Sequence, residues 1–168
     1  MKKIILLSLA GCCMITAVLA QKRDNVKFSV GAEVALTTGN FSNTHSVGIG
    51  ATGQLEIPLQ EKLNGIAYGG IMLFNGKSYG PGLKFKGATI IPVRVGIKYF
   101  LTGSVYTNLQ AGLAFIGGYG TGTSFSYSPQ LGYEFQTNSG KSIDLTLKYD
   151  AYTKGSLSSF GLRLAYIL

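Results

Sequence analysis

The sequence predicts an all-β fold, an eight-stranded antiparallel up-and-down transmembrane β-barrel over residues 21–168, behind a targeting segment at 1–20. Three observations predict it. Apolar and polar residues alternate in runs of about ten separated by turn residues, which is how a membrane-spanning strand with two unlike faces reads. Charged residues are 13% of the chain, about half the roughly 25% of a globular domain, too few to coat a soluble surface. The polar faces hold small side chains and nearly balanced charges, as a narrow packed interior requires.

The chain opens on Lys2 and Lys3, followed by an apolar stretch from Ile4 to Leu19. Val18-Leu19-Ala20 then supplies a small-residue cleavage site before the polar Gln21-Lys22-Arg23-Asp24, the plan of an export signal. The apolar run is short for a spanning helix and has no charged stop beyond it. Leu9-Ala10-Gly11-Cys12 resembles a lipoprotein lipobox, which makes lipidation at Cys12 the alternative. The residues after Cys12 stay apolar where a tether is usually polar, so cleavage after Ala20 is preferred. Both cysteines then leave with the signal, and the remaining 148 residues (168 less 20) carry no thiol chemistry.

The first strand alternates Val26, Phe28, Val30, Ala32, Val34 and Leu36 with Lys27, Ser29, Gly31, Glu33 and Thr37. After the Gly39-Asn40 turn signal, Val47, Ile49, Ala51, Leu55 and Ile57 oppose Gly48, Gly50, Thr52, Gln54 and Glu56. The third run, Gly65 to Phe74, alternates least cleanly. The fourth, Ala88 to Phe100, sets Ile91, Val93, Val95, Ile97 and Tyr99 against Arg94, Gly96 and Lys98. Leu101 to Ser104 make a tight turn into the fifth, where Val105, Leu109, Leu113 and Phe115 oppose Tyr106, Asn108 and Gln110. The sixth opposes Phe125, Tyr127, Leu131, Tyr133 and Phe135 to Ser124, Ser126, Ser128, Gln130 and Glu134. The seventh opposes Ile143, Leu145, Leu147 and Tyr149 to Asp144, Thr146, Lys148 and Asp150. The last opposes Phe160, Leu162, Leu164, Tyr166 and Leu168 to Ser159, Gly161, Arg163 and Ala165. Pro92 and Pro129 interrupt central strands, so each is expected to mark a bulge or a misplaced boundary.

Alternation alone does not say which face points outward. The charges decide it. Glu33, Glu56, Glu134, Asp144 and Asp150 stand against Lys27, Arg94, Lys98, Lys148 and Arg163, and charges enclosed in a barrel need such partners whereas a solvent face does not. These ten are the expected lumen ion pairs. Aromatic residues agree. An even strand number puts both termini on one side, expected to be periplasmic. Phe28, Tyr99, Phe100, Tyr133, Phe135 and Tyr166 then cluster at that end, with Phe74, Phe115, Phe125, Tyr127, Tyr149 and Phe160 at the other. Two such bands are what membrane interfaces select.

From Ile91-Pro92-Val93-Arg94-Val95-Gly96-Ile97-Lys98-Tyr99-Phe100 through Gln110-Ala111-Gly112-Leu113-Ala114-Phe115 the chain resembles the small outer membrane β-barrel family, porin-like and OmpX-type. In that family a strand ending in Gly-x-Lys-Tyr-aromatic turns into a Gly-rich strand. The finish, Ser159 to Leu168, looks like the C-terminal signal read by the barrel-insertion machinery, with Leu168 in place of the usual Phe. The resemblance implies a monomeric barrel in the outer membrane of a Gram-negative cell, with a structural or interaction role in the envelope.

Catalytic material is thin. His45 is the sole histidine, placed in the first outer loop and followed by Ser46. A lipid A-modifying hydrolase would use a His and a Ser facing lipid, but neighbours in a strand point to opposite faces, so a loop histidine is the preferred reading. One His and no mature Cys give no metal cluster, and no cofactor is expected. Gly117-Gly118-Tyr119-Gly120-Thr121-Gly122 has no helix after it to cradle a phosphate and reads as a loop. The net charge of +8 falls to about +6 without Lys2 and Lys3. Lys77, Lys84 and Lys86 in the second outer loop, and Lys154 in the fourth, are candidate contacts to lipopolysaccharide phosphates. Nothing points to nucleic acid. At eight strands side chains fill the interior, so a wide pore is excluded, and a narrow small-solute channel is the remaining alternative.

Overall fold

A computed structural model describes residues 26–80, 82–118, 121–137, 142–153 and 157–168. The targeting segment, both cysteines, Tyr119, Gly120 and Lys154 lie outside them. Eight long strands close into one barrel: β1 (Lys27–Thr38), β2 (His45–Gln60), β3 (Leu63–Gly76), β6 (Ala88–Phe100), β7 (Val105–Gly117), β8 (Gly122–Gln136), β9 (Ser142–Tyr152) and β10 (Leu157–Ile167). Between β3 and β6 the chain forms a small separate hairpin, β4 (Ser78–Gly80) with β5 (Leu83–Lys84). Each barrel strand pairs antiparallel with its sequence neighbour, and β1 pairs with β10 to leave no edge. Closure satisfies every strand's backbone groups from inside the protein, which a strand structure needs to cross a bilayer. No helix among the described residues is long and apolar enough to do so.

Large apolar side chains point outward all around the circumference, among them Val34, Ile49, Val95, Leu109, Leu131, Leu147 and Leu164. From Val105 to Phe115, ten steps along β7, the belt runs about 33 Å along the strand. At the usual tilt of about 40° this is about 25 Å of height, the apolar band of a transmembrane barrel. Thr38, Ser46, Asn75, Thr89, Thr123 and Ser158 follow it on the side away from the termini. That end is the distal rim, and the end bearing both termini is the terminal rim. Phe28, Tyr99, Tyr133, Phe135 and Tyr166 stand exposed toward the terminal rim, with Phe115, Phe125, Tyr127 and Phe160 toward the distal one.

Two expectations fail here for identifiable reasons. Phe74 does not join the distal band. It points into the lumen and packs on Phe41 with ring centroids 5.0 Å apart, because β3 keeps Tyr68, Met72 and Phe74 in inward phase. The two prolines mark no bulge. The register of Gly69 with Val93 and of Met72 with Ile90 is the same on either side of Pro92. Tyr127 with Ala151 and Gln130 with Lys148 likewise keep one register around Pro129. Each proline loses one rung, and the rest of a long ladder holds the alignment.

The pairing of β2 with β3 shifts by one residue at two places, between Pro58 and Gln60 beside the turn at the terminal rim and between His45 and Gly48 at the distal end. A bulge of this kind re-aims the side chain beyond it. Thr37 Oγ1 lies 2.8 and 2.9 Å from the carbonyls of His45 and Ser46 and donates to them beside the distal shift. Before the bulge, Gly39 turns the chain at φ 57° and a four-residue helical turn, Phe41–Thr44, drops the Phe41 ring into the barrel mouth.

Candidate functional site

Between an open vestibule at the terminal rim and the distal mouth, three layers of side chains fill the lumen. At the terminal rim, Lys98 on β6 is fully buried. Its Nζ donates to Glu56 Oε2 at 3.0 Å and to Glu134 Oε1, and lies 3.7 Å from Asp144 Oδ2. Arg163 Nη1 is 3.5 Å from Asp144 Oδ1, while its other nitrogens donate to Thr52 and Ser29 hydroxyls at 2.9 Å. Tyr106 donates its hydroxyl to Asp144 at 2.6 Å and lays its ring 3.8 Å from Lys98 Nζ. The ring fits because Gly132 faces it: a Cβ at that glycine would collide with the phenol. Lys27, half exposed, closes the set at 3.4 Å from Glu134. At full ionisation three cations (Lys27, Lys98, Arg163) meet three carboxylates (Glu56, Glu134, Asp144).

A second cluster sits nearer the distal end. Arg94 Nη1 donates to Asp150 at 2.5 Å and Nε to Ser126 Oγ at 3.0 Å. Lys148 Nζ donates to both oxygens of Glu33, at 2.9 and 3.0 Å, and lies 3.2 Å from Asp150. Tyr68 donates to Glu33 at 2.8 Å. Here two cations meet two carboxylates. Each cluster is neutral by itself, which is what burial of charge in a narrow lumen demands. Beside them, Gln110 donates to Gln54 at 3.3 Å, Asn108 to Gln130 at 3.2 Å, and Gln130 to Ser128 at 3.0 Å.

The distal third is apolar, a layer the sequence reading did not contain. Phe41, Met72, Phe74, Ile90, Ile116 and Leu157 form one buried cluster across the mouth. His45 belongs to it. The residue lies at the start of β2, buried completely, with its ring 4.7 Å from Phe41. Nε2 donates to the Lys86 carbonyl at 3.0 Å, and Nδ1 takes the Thr44 hydroxyl at 2.8 Å. The expected loop histidine is therefore a lumen residue, moved there by the bulge, and it does not face lipid with Ser46. At the terminal rim an open vestibule of about 600 Å³, lined by Lys27, Glu61, Lys62, Asn64, Phe100 and Glu134, ends on the first ion cluster.

Lys77, Lys84 and Lys86 are all exposed on the β4–β5 hairpin and its base at the distal rim. Lys77 Nζ donates to the Ser42 carbonyl at 2.6 Å, and its backbone N–H donates to Thr44 at 2.7 Å. The hairpin is thus tied to the helical turn. Tyr79 and Phe85 meet across it with ring centroids 4.6 Å apart and planes tilted by 43°.

These features define the class: a closed, eight-stranded transmembrane β-barrel with a filled lumen. Its fold is that of solved small outer membrane barrels. Neisserial surface protein A (NspA) superposes with a TM-score of 0.59 at 11% identity, covering 85% of this chain and 96% of that one. The Yersinia pestis outer membrane protein Ail in a phospholipid bilayer nanodisc gives 0.57 at 13% identity, covering 86% and 100%. A de novo designed transmembrane β-barrel gives 0.53 at 14% identity, covering 84% and 95%. No protein-family model matches the chain, and no curated protein matches it in sequence.

Proposed function

We propose that this chain is an integral outer membrane protein with a structural or interaction role in the cell envelope, exported through a cleaved signal and inserted as a monomer. The terminal rim faces the periplasm and the distal hairpin the exterior. Insertion runs through the C-terminal strand, whose Leu168 N–H donates to the Phe28 carbonyl at 2.8 Å as β10 meets β1. The supporting observation is the filled lumen. Two neutral ion clusters and an apolar plug occupy the space a channel would need, and the lone histidine is spent inside that plug.

Reconstitution into a planar bilayer is expected to give no conductance steps, with the gel shift on boiling recorded on the same sample to show that the barrel is folded. Discrete, reproducible openings would instead establish the narrow-channel alternative. Lipid A from cells with and without the gene is expected to have the same mass spectrum. Loss or gain of an acyl chain would turn the reading toward a lipid A-modifying enzyme.

A further inference from the structure

The seven acidic residues of the chain are unevenly placed. Glu33, Glu56, Glu134, Asp144 and Asp150 are buried in the lumen. Glu61 lies in the turn between β2 and β3 at the terminal rim, and Asp24 precedes β1 in sequence. Among the described residues no carboxylate remains for the distal rim, where Lys77, Lys84 and Lys86 are exposed. None of the three forms an ion pair among the described residues. A surface that is cationic without any counter-charge of its own is complementary to an anionic partner.

The hairpin also carries apolar surface above the membrane belt. Tyr79 is 59% exposed and Leu83 53% exposed, and the segment begins just after Leu73 and Asn75, where the belt of β3 gives way to polar residues. Aromatic and aliphatic groups mixed with lysines at that height suit a headgroup layer: the apolar parts reach toward acyl chains while the ammonium groups meet anionic oxygens. A soluble polyanion would use the lysines and leave Tyr79 and Leu83 unsatisfied. From this we infer that the β4–β5 hairpin docks on phosphorylated glycolipid headgroups of the surrounding leaflet. Lys77, Lys84 and Lys86 make charge-assisted contacts to the phosphates, and Tyr79 and Leu83 lodge at the top of the acyl layer. The inference rests on the membrane reading above and adds the partner.

The test reconstitutes the full chain in phosphatidylcholine bilayers doped with bisphosphorylated lipid A or with its dephosphorylated form. Lipid A retained per protein is then counted after mild extraction. The phosphorylated form is expected to be retained selectively, with apparent affinity falling about fivefold for each Lys→Gln change among the three. The double substitution Tyr79→Ser with Leu83→Ser is expected to weaken retention of the lipid without affecting the acyl-free bisphosphorylated disaccharide. Equal retention of both lipid forms overturns the proposal, as does undiminished retention by the triple Lys→Gln variant. So does binding of the acyl-free disaccharide as tightly as the whole lipid, which would make the site one for a soluble polyanion. Conductance and the heat-dependent gel shift are recorded on the same samples. A leaky barrel that still selects the phosphorylated lipid refutes the sealed lumen alone, and a silent barrel that does not select refutes the hairpin proposal alone.

Discussion

Replacing Lys98 with Met is expected to destabilise the folded barrel by about 3–5 kcal/mol, the cost of stranding buried charge when one partner of a pair is removed. The site makes the cost high. Lys98 Nζ is the shared cation of Glu56, Glu134 and Asp144, brought in from three different strands. Without it the Glu56 carboxylate keeps Asn64 as its one hydrogen-bond donor among the described side chains, and Glu134 keeps the half-exposed Lys27. Methionine matches the length of the lysine stem, so packing against Tyr106 and Phe100 changes little and the electrostatic effect stands alone. Urea unfolding in lipid vesicles, read by gel mobility before boiling, measures the loss. Adding Glu134→Gln to Lys98→Met removes one of the stranded charges and is expected to recover a substantial part. A Lys98→Met barrel within about 0.5 kcal/mol of the parent, the ordinary range for surface changes, would mean the cluster is solvated.

The second large effect concerns the opposite face. Val95 points outward at the middle of β6 and is 68% exposed. Val95→Lys is expected to cost about 2–4 kcal/mol, as a cation does at the midplane of a barrel's lipid face, whereas Thr89→Lys at the distal edge of the same strand is expected to cost about 0–1 kcal/mol. The gradient is the informative part. A soluble barrel would accept lysine at both positions alike, so equal and small costs would place water around the belt.

Most of the fold could be read from residue order because inward and outward positions differ in size and polarity along β6, β8 and β10. Val93, Val95 and Ile97 against Arg94 and Lys98 leave little ambiguity. β3 was the hard strand for a physical reason: its inward residues near the distal end, Met72 and Phe74, are as apolar as the outward Ile71 and Leu73, since that part of the lumen is packed with apolar side chains. The bulge after His45 was invisible because a one-residue slip leaves no mark in composition, only a break in phase among Ser46, Val47 and Gly48. The prolines misled because a lost rung was weighed as a lost register. Alternation put the ionic side chains on one face, but it could not match them. Lys98 reaches carboxylates on β2, β8 and β9, and that choice depends on strand tilt and stagger across the barrel. The β4–β5 hairpin left a modest trace in Pro81-Gly82, a turn dipeptide flanked by Tyr79 and Leu83.

The chain contains no tryptophan, so Val95→Trp introduces a single fluorophore on the face that decides the account. In bilayers whose acyl chains carry bromine near the midplane, its emission should be strongly quenched, while iodide in the surrounding water should have almost no effect. Quenching by iodide with indifference to the brominated chains would put that face in water and invert the barrel.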